Sequence, residues 1–239
     1  MVEKIPLLLL PGTLCDDRLW QFQIQGLEDE VNITVGELSK HDSIEALADE
    51  ILSKMPDKFA VAGLSFGGMV ALEIVRKAPE RVLKLALLDT NPFPPKEEQI
   101  SNWNNFLDMI QTQRFGEIVK DYLLPVLIHP DKQSNDELVE TIFKMADTMG
   151  EEGYINQLRA LKKRVDQTTV LPFITCPTLV IVGRQDIVCP IELSKYMADT
   201  IPNASLKIVE DSGHLTTIEQ PEVVYELLKE WITKPKVEF

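Results

Sequence analysis

The chain has few of the residues that build metal centres and disulfide frameworks. Its 239 residues include three histidines and three cysteines, which are Cys15, Cys176 and Cys189. The cysteines are widely spaced, form no C-x-x-C pair and do not cluster with histidine. The sequence therefore predicts neither a zinc site nor a disulfide framework, and we expect no metal and no cofactor.

Positive charge and long apolar runs are also scarce. The chain has 24 basic and 38 acidic residues, a net charge of −14, which opposes binding to nucleic acid or to an anionic membrane. The apolar run over residues 6–11 is too short to cross a bilayer and lacks the flanking features of a signal peptide. We expect a cytoplasmic protein that does not insert into membranes, and the sequence predicts no oligomeric state.

Strand-like apolar runs alternate with helical patterns through most of the chain, which predicts an α/β fold: a mostly parallel, doubly wound sheet with helices on both faces. The hydrophobic fraction of 44% is typical of a globular domain. Six strands are predicted at residues 5–10, 31–35, 59–62, 82–88, 178–182 and 205–209. Helices are predicted at about 43–54, with Ser43 as N-cap, at 191–200 and at 221–232.

The alternation stops between the fourth and fifth strands. Residues 93–173 contain helical patterns but no convincing buried strand, and they are too long for a single crossover helix. Helices are predicted there at about 97–113, 115–124, 135–149 and 151–163. We therefore predict a core domain of residues 1–92 and 174–239, with a helical cap of residues 93–173 over the carboxyl ends of the strands, where open sheets bind ligands.

The most informative motif is Gly63-Leu64-Ser65-Phe66-Gly67-Gly68, which lies between a predicted strand and a predicted helix. G-x-S-x-G in this context predicts a nucleophile elbow, a strained turn that presents the serine hydroxyl. Glycine at positions 63 and 67 allows the strand and the helix to approach each other. A Gly-rich turn that only joins two elements is the simpler alternative.

A serine hydroxyl needs a base, and one histidine is well placed to supply it. His214 follows the last predicted strand and so reaches the same rim of the sheet as Ser65. His41 and His129 lie in a polar loop and in the helical insertion, where a solvated or structural role is favoured. Asp186 follows the fifth strand, and the order Ser, Asp, His is that of an α/β-hydrolase sheet. A turn former or helix N-cap is the alternative for Asp186.

Acyl transfer also needs donors for an oxyanion. The backbone N–H of Phe66, directly after the serine, is one predicted donor. The other is expected from the loop after the first strand, where Gly12 permits a sharp turn. Thr13 is the first choice and Leu14 the second.

The chain resembles the α/β-hydrolase superfamily over almost its whole length. The resemblance rests on Leu7-Leu8-Leu9-Leu10-Pro11-Gly12, on the Ser65 motif, on residues 177–186 and on Ser212-Gly213-His214, with the closing Glu219-Gln220-Pro221-Glu222. It implies a Ser65–His214–Asp186 triad and a helical cap over the pocket. The chain departs from many members in having Pro11-Gly12 rather than His-Gly, and in beginning directly at the first strand.

These features predict a serine hydrolase that cleaves a small ester, thioester or lactone through an acyl-enzyme on Ser65. The same triad could serve C–C bond hydrolysis, proton abstraction and elimination as in menaquinone-synthesis relatives, or cofactor-free perhydrolysis. A small-ligand-binding module without turnover is the alternative of a different class. Candidate pocket residues are Cys15, Trp103, Phe106, Leu123, Tyr154 and Val188. Relatives with the C–C hydrolysis or elimination chemistry bind acidic substrates and tend to use arginines in the cap. The candidates for that role here are Arg114, Arg159, Lys162, Lys163 and Arg164, for which solvated helix faces are the favoured interpretation.

Overall fold

The computed structural model describes residues 4–233, and its centre is a single six-stranded sheet. All neighbouring strands are parallel, in the order β2-β1-β3-β4-β5-β6. The strands are β1 Ile5–Leu10, β2 Val31–Val35, β3 Phe59–Leu64, β4 Val82–Leu88, β5 Thr178–Gly183 and β6 Ala204–Val209. The predicted α/β sheet with helices around it is confirmed.

Helices connect the strands and fill a long insertion between β4 and β5. The longer helices are α1 Gln21–Leu27, α2 Ile44–Lys54, α3 Phe66–Lys77, α4 Glu97–Gln111, α5 Asp136–Lys163, α6 Ile191–Thr200 and α7 Pro221–Thr233. Short helical turns occupy Asp17–Trp20, Pro79–Arg81, Phe115–Glu117, Leu124–Leu127, Pro130–Lys132, Leu171–Phe173 and Thr216–Glu219. A search of residues 4–233 finds no helix with the length and hydrophobicity that a bilayer crossing requires.

Successive residues of each strand point to opposite sides of the sheet, and helices pack against both sides, so both faces are buried. Leu8 and Leu10 of β1 pack in a cluster with residues of α2, α3 and α6. Leu7 and Leu9 pack on the other side in a cluster that includes Leu27 of α1 and residues of α7. Because all six strands are parallel, their carboxyl ends lie at one rim of this packed sheet.

The insertion is helical but less regular than predicted. The expected helix over 115–124 is a short helix followed by a π-helical turn at Ile118–Leu123, in which the Leu124 N–H donates to the Val119 carbonyl. Pro125 follows directly and has no N–H to continue the regular pattern. The two helices predicted at 135–149 and 151–163 form α5, which is kinked at Gly150 with φ 68° and ψ 175°.

Candidate active site

Ser65 lies at the tight turn between β3 and α3. Its φ of 54° and ψ of −114° are strained for a residue with a side chain. The Ser65 N–H donates to the Leu88 carbonyl at 2.8 Å, which anchors the turn to the neighbouring strand. A Cβ on Gly63 would lie 2.3 Å from the Gly67 carbonyl oxygen, and one on Gly67 would lie 2.2 Å from that of Leu10. Glycine at both positions is therefore required for this turn.

The Ser65 hydroxyl begins a chain of hydrogen bonds across the rim. Its Oγ lies 2.8 Å from His214 Nε2, and His214 Nδ1 lies 2.8 Å from Asp186 Oδ2. His214 is 2% exposed and Asp186 4% exposed, whereas Ser65 is half-buried and lines a cavity. Of the three residues that the sequence predicts as a triad, His214 is thus within hydrogen-bond distance of both Ser65 and Asp186.

Asp186 is held in place by its second carboxylate oxygen. Oδ1 accepts from the N–H groups of Val188 and Cys189, at 2.8 and 2.9 Å. The His214 N–H donates to the Leu127 carbonyl at 2.9 Å, which fixes the backbone that carries the imidazole. Both partners of the histidine–aspartate pair are therefore oriented by contacts outside the pair.

The surroundings of His214 favour its protonated form. Burial alone lowers the pKa of His214 because the imidazolium loses solvation. The charge and hydrogen bond of Asp186, with the charges of Asp89 and Glu219, outweigh burial and raise the pKa above its ordinary value. An imidazole of this kind is a stronger proton acceptor than a solvated histidine.

Asp89, at the end of β4, is a second buried carboxyl close to the pair. Its Oδ1 accepts from the Gly183 N–H at 2.9 Å, and its Oδ2 accepts from the Thr216 hydroxyl at 2.5 Å. Burial and then the nearby Asp186 carboxylate raise the pKa of Asp89 well above its ordinary value. Asp89 therefore connects β4 to β5 and to the helical turn that begins at Thr216, and when it is ionised its charge stabilises the imidazolium of His214.

Asp89→Asn is expected to move the acid limb of the kcat/KM profile to lower pH. In the wild type that limb should lie above about 6.5, the ordinary pKa of histidine, because His214 must be neutral to accept a proton. In asparagine the amide oxygen still accepts from the Gly183 N–H, the NH₂ group donates to the Thr216 oxygen in a reversed hydrogen bond, and the negative charge that raises the pKa of His214 is removed. A pH–rate profile of wild type and variant measures the shift, and a limb that moves to higher pH would contradict this account.

The loop after β1 forms a turn against the Ser65 elbow. The Cys15 N–H donates to the Gly12 carbonyl at 3.2 Å, and Leu14 has a φ of 57°. A Cβ on Gly12 would lie 3.6 Å from Ser65 Cβ, so this turn lies beside the nucleophile. Among the described residues, the N–H of Thr13 has no acceptor.

The N–H of Leu14, the second-choice oxyanion donor, already has a partner within the fold. This N–H donates to Gln157 Oε1 at 2.9 Å, and Gln157 Nε2 donates to the Leu38 carbonyl at 3.2 Å. Gln157 belongs to α5 and is fully buried. Because a positive φ is unfavourable for leucine, this hydrogen bond from the inserted helices stabilises a strained turn. Thr13 and Phe66 remain the candidate donors, and among residues 4–233 the N–H of Phe66, the first residue of α3, has no acceptor.

Gln157→Leu is expected to lower kcat by about 10-fold or more, because the turn that carries Thr13 loses its anchor. Complete removal of one oxyanion donor lowers kcat by roughly 10²–10³-fold, and a displaced donor should lose part of that effect. Asn156→Leu is the matched control, since the Asn156 amide donates to the Ser39 carbonyl at 2.9 Å without touching the turn. Kinetics and thermal melts of both variants separate the roles. An equal fall of kcat in both would show that Gln157 only attaches the helix.

Ser65 opens onto a cavity of about 610 Å³ between the rim and the inserted helices. Five of the six candidate pocket residues line it: Trp103, Phe106, Leu123, Tyr154 and Val188. Gly12, Thr13 and His214 also line it. Cys15 does not: it is 4% exposed, packs in the core beside Trp20, and its thiol donates to the Thr13 carbonyl at 3.3 Å. Among the described residues, Cys15 therefore lies in the core rather than in the cavity lining.

The other two histidines make structural contacts. His41 Nε2 lies 2.6 Å from the Glu50 carboxylate. The His129 N–H donates to Glu219 at 2.7 Å, and its Nδ1 accepts from the Asp131 N–H at 3.1 Å. Neither histidine lines the cavity in the described part of the chain.

One group of side chains within residues 4–233, namely Asp186, Cys189 and His214, has the spacing to hold a metal ion. Burial and then the Asp186 and Asp89 carboxylates raise the pKa of the Cys189 thiol well above its ordinary value. Metals bind the thiolate, so this surrounding disfavours the cysteine as a ligand. Both nitrogens of His214 are already engaged. The arrangement fits a proton relay better than a metal site.

Sequence reasoning missed two residues of the site, Asp89 and Gln157, and favoured a solvated role for a third, Arg164. Asp89 could have been found because it follows a buried strand at the same rim as Ser65. Gln157 stands between Tyr154 and Leu161 on the buried stripe of α5, where a polar residue is a signal. Arg164, interpreted as solvated, is 8% exposed and lines the cavity.

Comparison with known proteins agrees with this architecture. A model of the Alpha/beta hydrolase family matches residues 7–227. The chain belongs to this family. A thermophilic esterase from Thermogutta terrifontis, solved with malate bound, superposes with a TM-score of 0.88 at 30% identity, over 96% of this chain and 90% of the other.

Two curated relatives of this hydrolase are also similar along most of their length. The 3-oxoadipate enol-lactonase 1 of Acinetobacter baylyi is 25% identical over 92% of this chain and 86% of the relative. A pimeloyl-[acyl-carrier protein] methyl ester esterase of Legionella pneumophila is 24% identical over 96% of both chains. The assignment to the hydrolases is therefore supported by similarity along almost the whole chain.

Proposed function

We propose that this hydrolase cleaves a small carboxylic ester or lactone through an acyl-enzyme intermediate on Ser65. The observation that carries the proposal is the continuous hydrogen bonding from Ser65 to His214 to Asp186 at the wall of the cavity. A serine hydroxyl becomes an effective nucleophile when an oriented base accepts its proton. His214 Nε2 is at the distance that such a transfer needs.

In the acylation step, Ser65 Oγ attacks the ester carbonyl carbon while its proton passes to His214 Nε2. The carbonyl oxygen becomes an oxyanion, for which the N–H groups of Thr13 and Phe66 are the candidate donors. The imidazolium, stabilised by Asp186, returns the proton to the departing alkoxide. The alcohol leaves and the acyl group stays on Ser65.

In the deacylation step, His214 Nε2 accepts a proton from water as the water oxygen attacks the acyl carbon. The bond to Ser65 Oγ then breaks, and Oγ regains the proton from the imidazolium. The product is a carboxylic acid. With a lactone the alcohol and the acid remain one molecule, a hydroxy acid.

The names of the relatives support an ester bond as the target. They are an esterase, an enol-lactonase and a methyl ester esterase, and the bond common to the three is a carboxylic ester. In this mechanism, residues 93–173 serve as a cap over the active site. Their side chains Trp103, Phe106 and Tyr154 line the cavity beside Ser65 and would enclose the substrate.

A substrate panel tests the proposal. Short and long acyl esters, lactones and thioesters are offered to the wild-type chain, together with C–C cleavage substrates and a perhydrolysis assay. We expect turnover of at least one ester or lactone class, abolished by a serine-directed fluorophosphonate. Exclusive turnover of a C–C substrate, or no turnover with unchanged bound ligand, would overturn the proposal.

A further inference from the structure

Arg164 is a buried cation in the wall of the cavity. It follows the last residue of α5 and is 8% exposed. Its Nε donates to the Phe93 carbonyl at 3.0 Å, and Nη2 donates to the Gln99 amide oxygen at 3.3 Å. The guanidinium carbon lies 5.3 Å from the centre of the Trp103 ring. Burial lowers the pKa of Arg164 to about 10, so the side chain remains charged at neutral pH.

No counter-ion accompanies this charge in the described part of the chain. No carboxylate lies within 4.0 Å of the Arg164 guanidinium among residues 4–233. The described cavity lining contains no aspartate or glutamate, and Arg164 is its one lysine or arginine. The chain has 38 acidic residues, so the absence of a partner does not reflect a shortage of carboxylates.

An unpaired buried charge is costly, and its usual partner is an opposite charge. The Phe93 carbonyl and the Gln99 amide oxygen are both neutral acceptors, and they occupy two of the five N–H groups of Arg164. The fork of a guanidinium matches a carboxylate, which it binds through paired hydrogen bonds. A cavity whose lining includes such a cation, together with the polar amides of Asn102 and Asn105, suits a ligand with an anionic end.

A purely structural role would not require the charge. The contact with Phe93 joins the beginning and the end of the inserted residues. Gln167, three residues later, makes ties of the same kind with neutral groups: its N–H donates to the Pro92 carbonyl at 2.8 Å, and its amide donates to the Met69 carbonyl at 2.9 Å. Gln167 lies outside the cavity lining and so serves as a control.

We propose that Arg164 binds a carboxylate on the part of the substrate that does not react, so that the chain prefers esters or lactones with a free acid group. The inference rests on the proposed ester hydrolysis at Ser65 and names its substrate class. The carboxylate replaces the missing counter-ion and directs the ester carbonyl towards Ser65.

Half-esters provide the kinetic test. Monomethyl esters of the dicarboxylic acids from succinate to suberate are compared with the dimethyl esters of the same acids. Wild type should show a kcat/KM at least about 10-fold higher for the best half-ester, as expected for one charge-assisted contact. Arg164→Gln should lower that value by about 10- to 100-fold, chiefly through KM, and change the diester by less than about 3-fold. The kcat/KM of Arg164→Lys for the half-ester should lie between those of wild type and Arg164→Gln.

The control variant and a binding assay complete the design. Gln167→Leu should affect half-ester and diester equally. Calorimetry with the free dicarboxylates tests the anion site without hydrolysis, and Arg164→Gln should bind the best of them at least about 10-fold more weakly than wild type. Equal losses on both ester types in Arg164→Gln, or unchanged dicarboxylate binding, would overturn the inference. A chain that binds the diacid through Arg164 but cleaves no ester would overturn the proposed function alone.

Discussion

Ser65→Ala is expected to reduce kcat towards esters by about 10⁶-fold, the scale seen when a triad serine is removed. The variant loses the hydroxyl that the proposed mechanism acylates, while the cavity and the candidate oxyanion donors remain. The melting temperature should stay close to wild type, because alanine at φ 54° is strained to a similar degree as serine. Steady-state kinetics with a nitrophenyl ester and a thermal melt measure both quantities.

Ser212→Ala is the matched control for that change. Ser212 lies two residues before His214, is fully buried, and its hydroxyl has no hydrogen-bond partner among residues 4–233. The same atom is removed from the same rim, so general damage to the rim would appear in both variants. Retained turnover in Ser65→Ala, or an equal loss in Ser212→Ala, would contradict a serine nucleophile at position 65.

Asp186→Asn should lower kcat by roughly 10⁴-fold, the effect of this substitution in a serine protease triad. The remaining amide oxygen can still accept from the N–H groups of Val188 and Cys189. The amide NH₂ then faces His214 Nδ1 and forces it to accept, which leaves the proton on Nε2. In this tautomer His214 cannot take the Ser65 proton. The fold around position 186 is therefore retained, while proton transfer from Ser65 to His214 is lost.

Asp211→Asn is the corresponding control for the loss of one carboxylate. Asp211 is exposed in the same loop as His214 and has a φ of 52°, a conformation that asparagine tolerates. Its kcat should remain within about 2-fold of wild type because an exposed charge is screened by solvent. If Asp186→Asn also kept activity within 10-fold, a different group would have to orient His214.

The sequence predicted the sheet well because buried parallel strands are nearly continuous apolar runs. β1, β2 and β4 have the predicted bounds, and the other strands differ by one or two residues. The triad was predictable because Ser65, Asp186 and His214 each follow a strand, and parallel strands end at one rim. The short helix α1 was not predicted, since QFQIQGL is too short to show a clear helical period.

Contacts between distant segments were beyond sequence reasoning. Gln157 reaches Leu14 across 143 residues of chain, so neither residue reveals its partner. Arg164 stands in a basic stretch, and Lys162 and Lys163 beside it make contacts typical of exposed lysines. Arg164 instead contacts residues far back along the chain: the Phe93 carbonyl, the Gln99 amide oxygen and the Trp103 ring. Sequence patterns thus predict the nucleophile, whereas the wall that selects the substrate depends on tertiary structure.

The most direct measurement of the central claim is the site of covalent modification. The wild-type chain is incubated with a fluorophosphonate and, separately, quenched in acid during turnover of an activated ester; both samples are then mapped by peptide mass spectrometry. The account predicts one adduct per chain, on Ser65, in both samples. Ester hydrolysis with no adduct on Ser65, or with adducts on another residue, would contradict it.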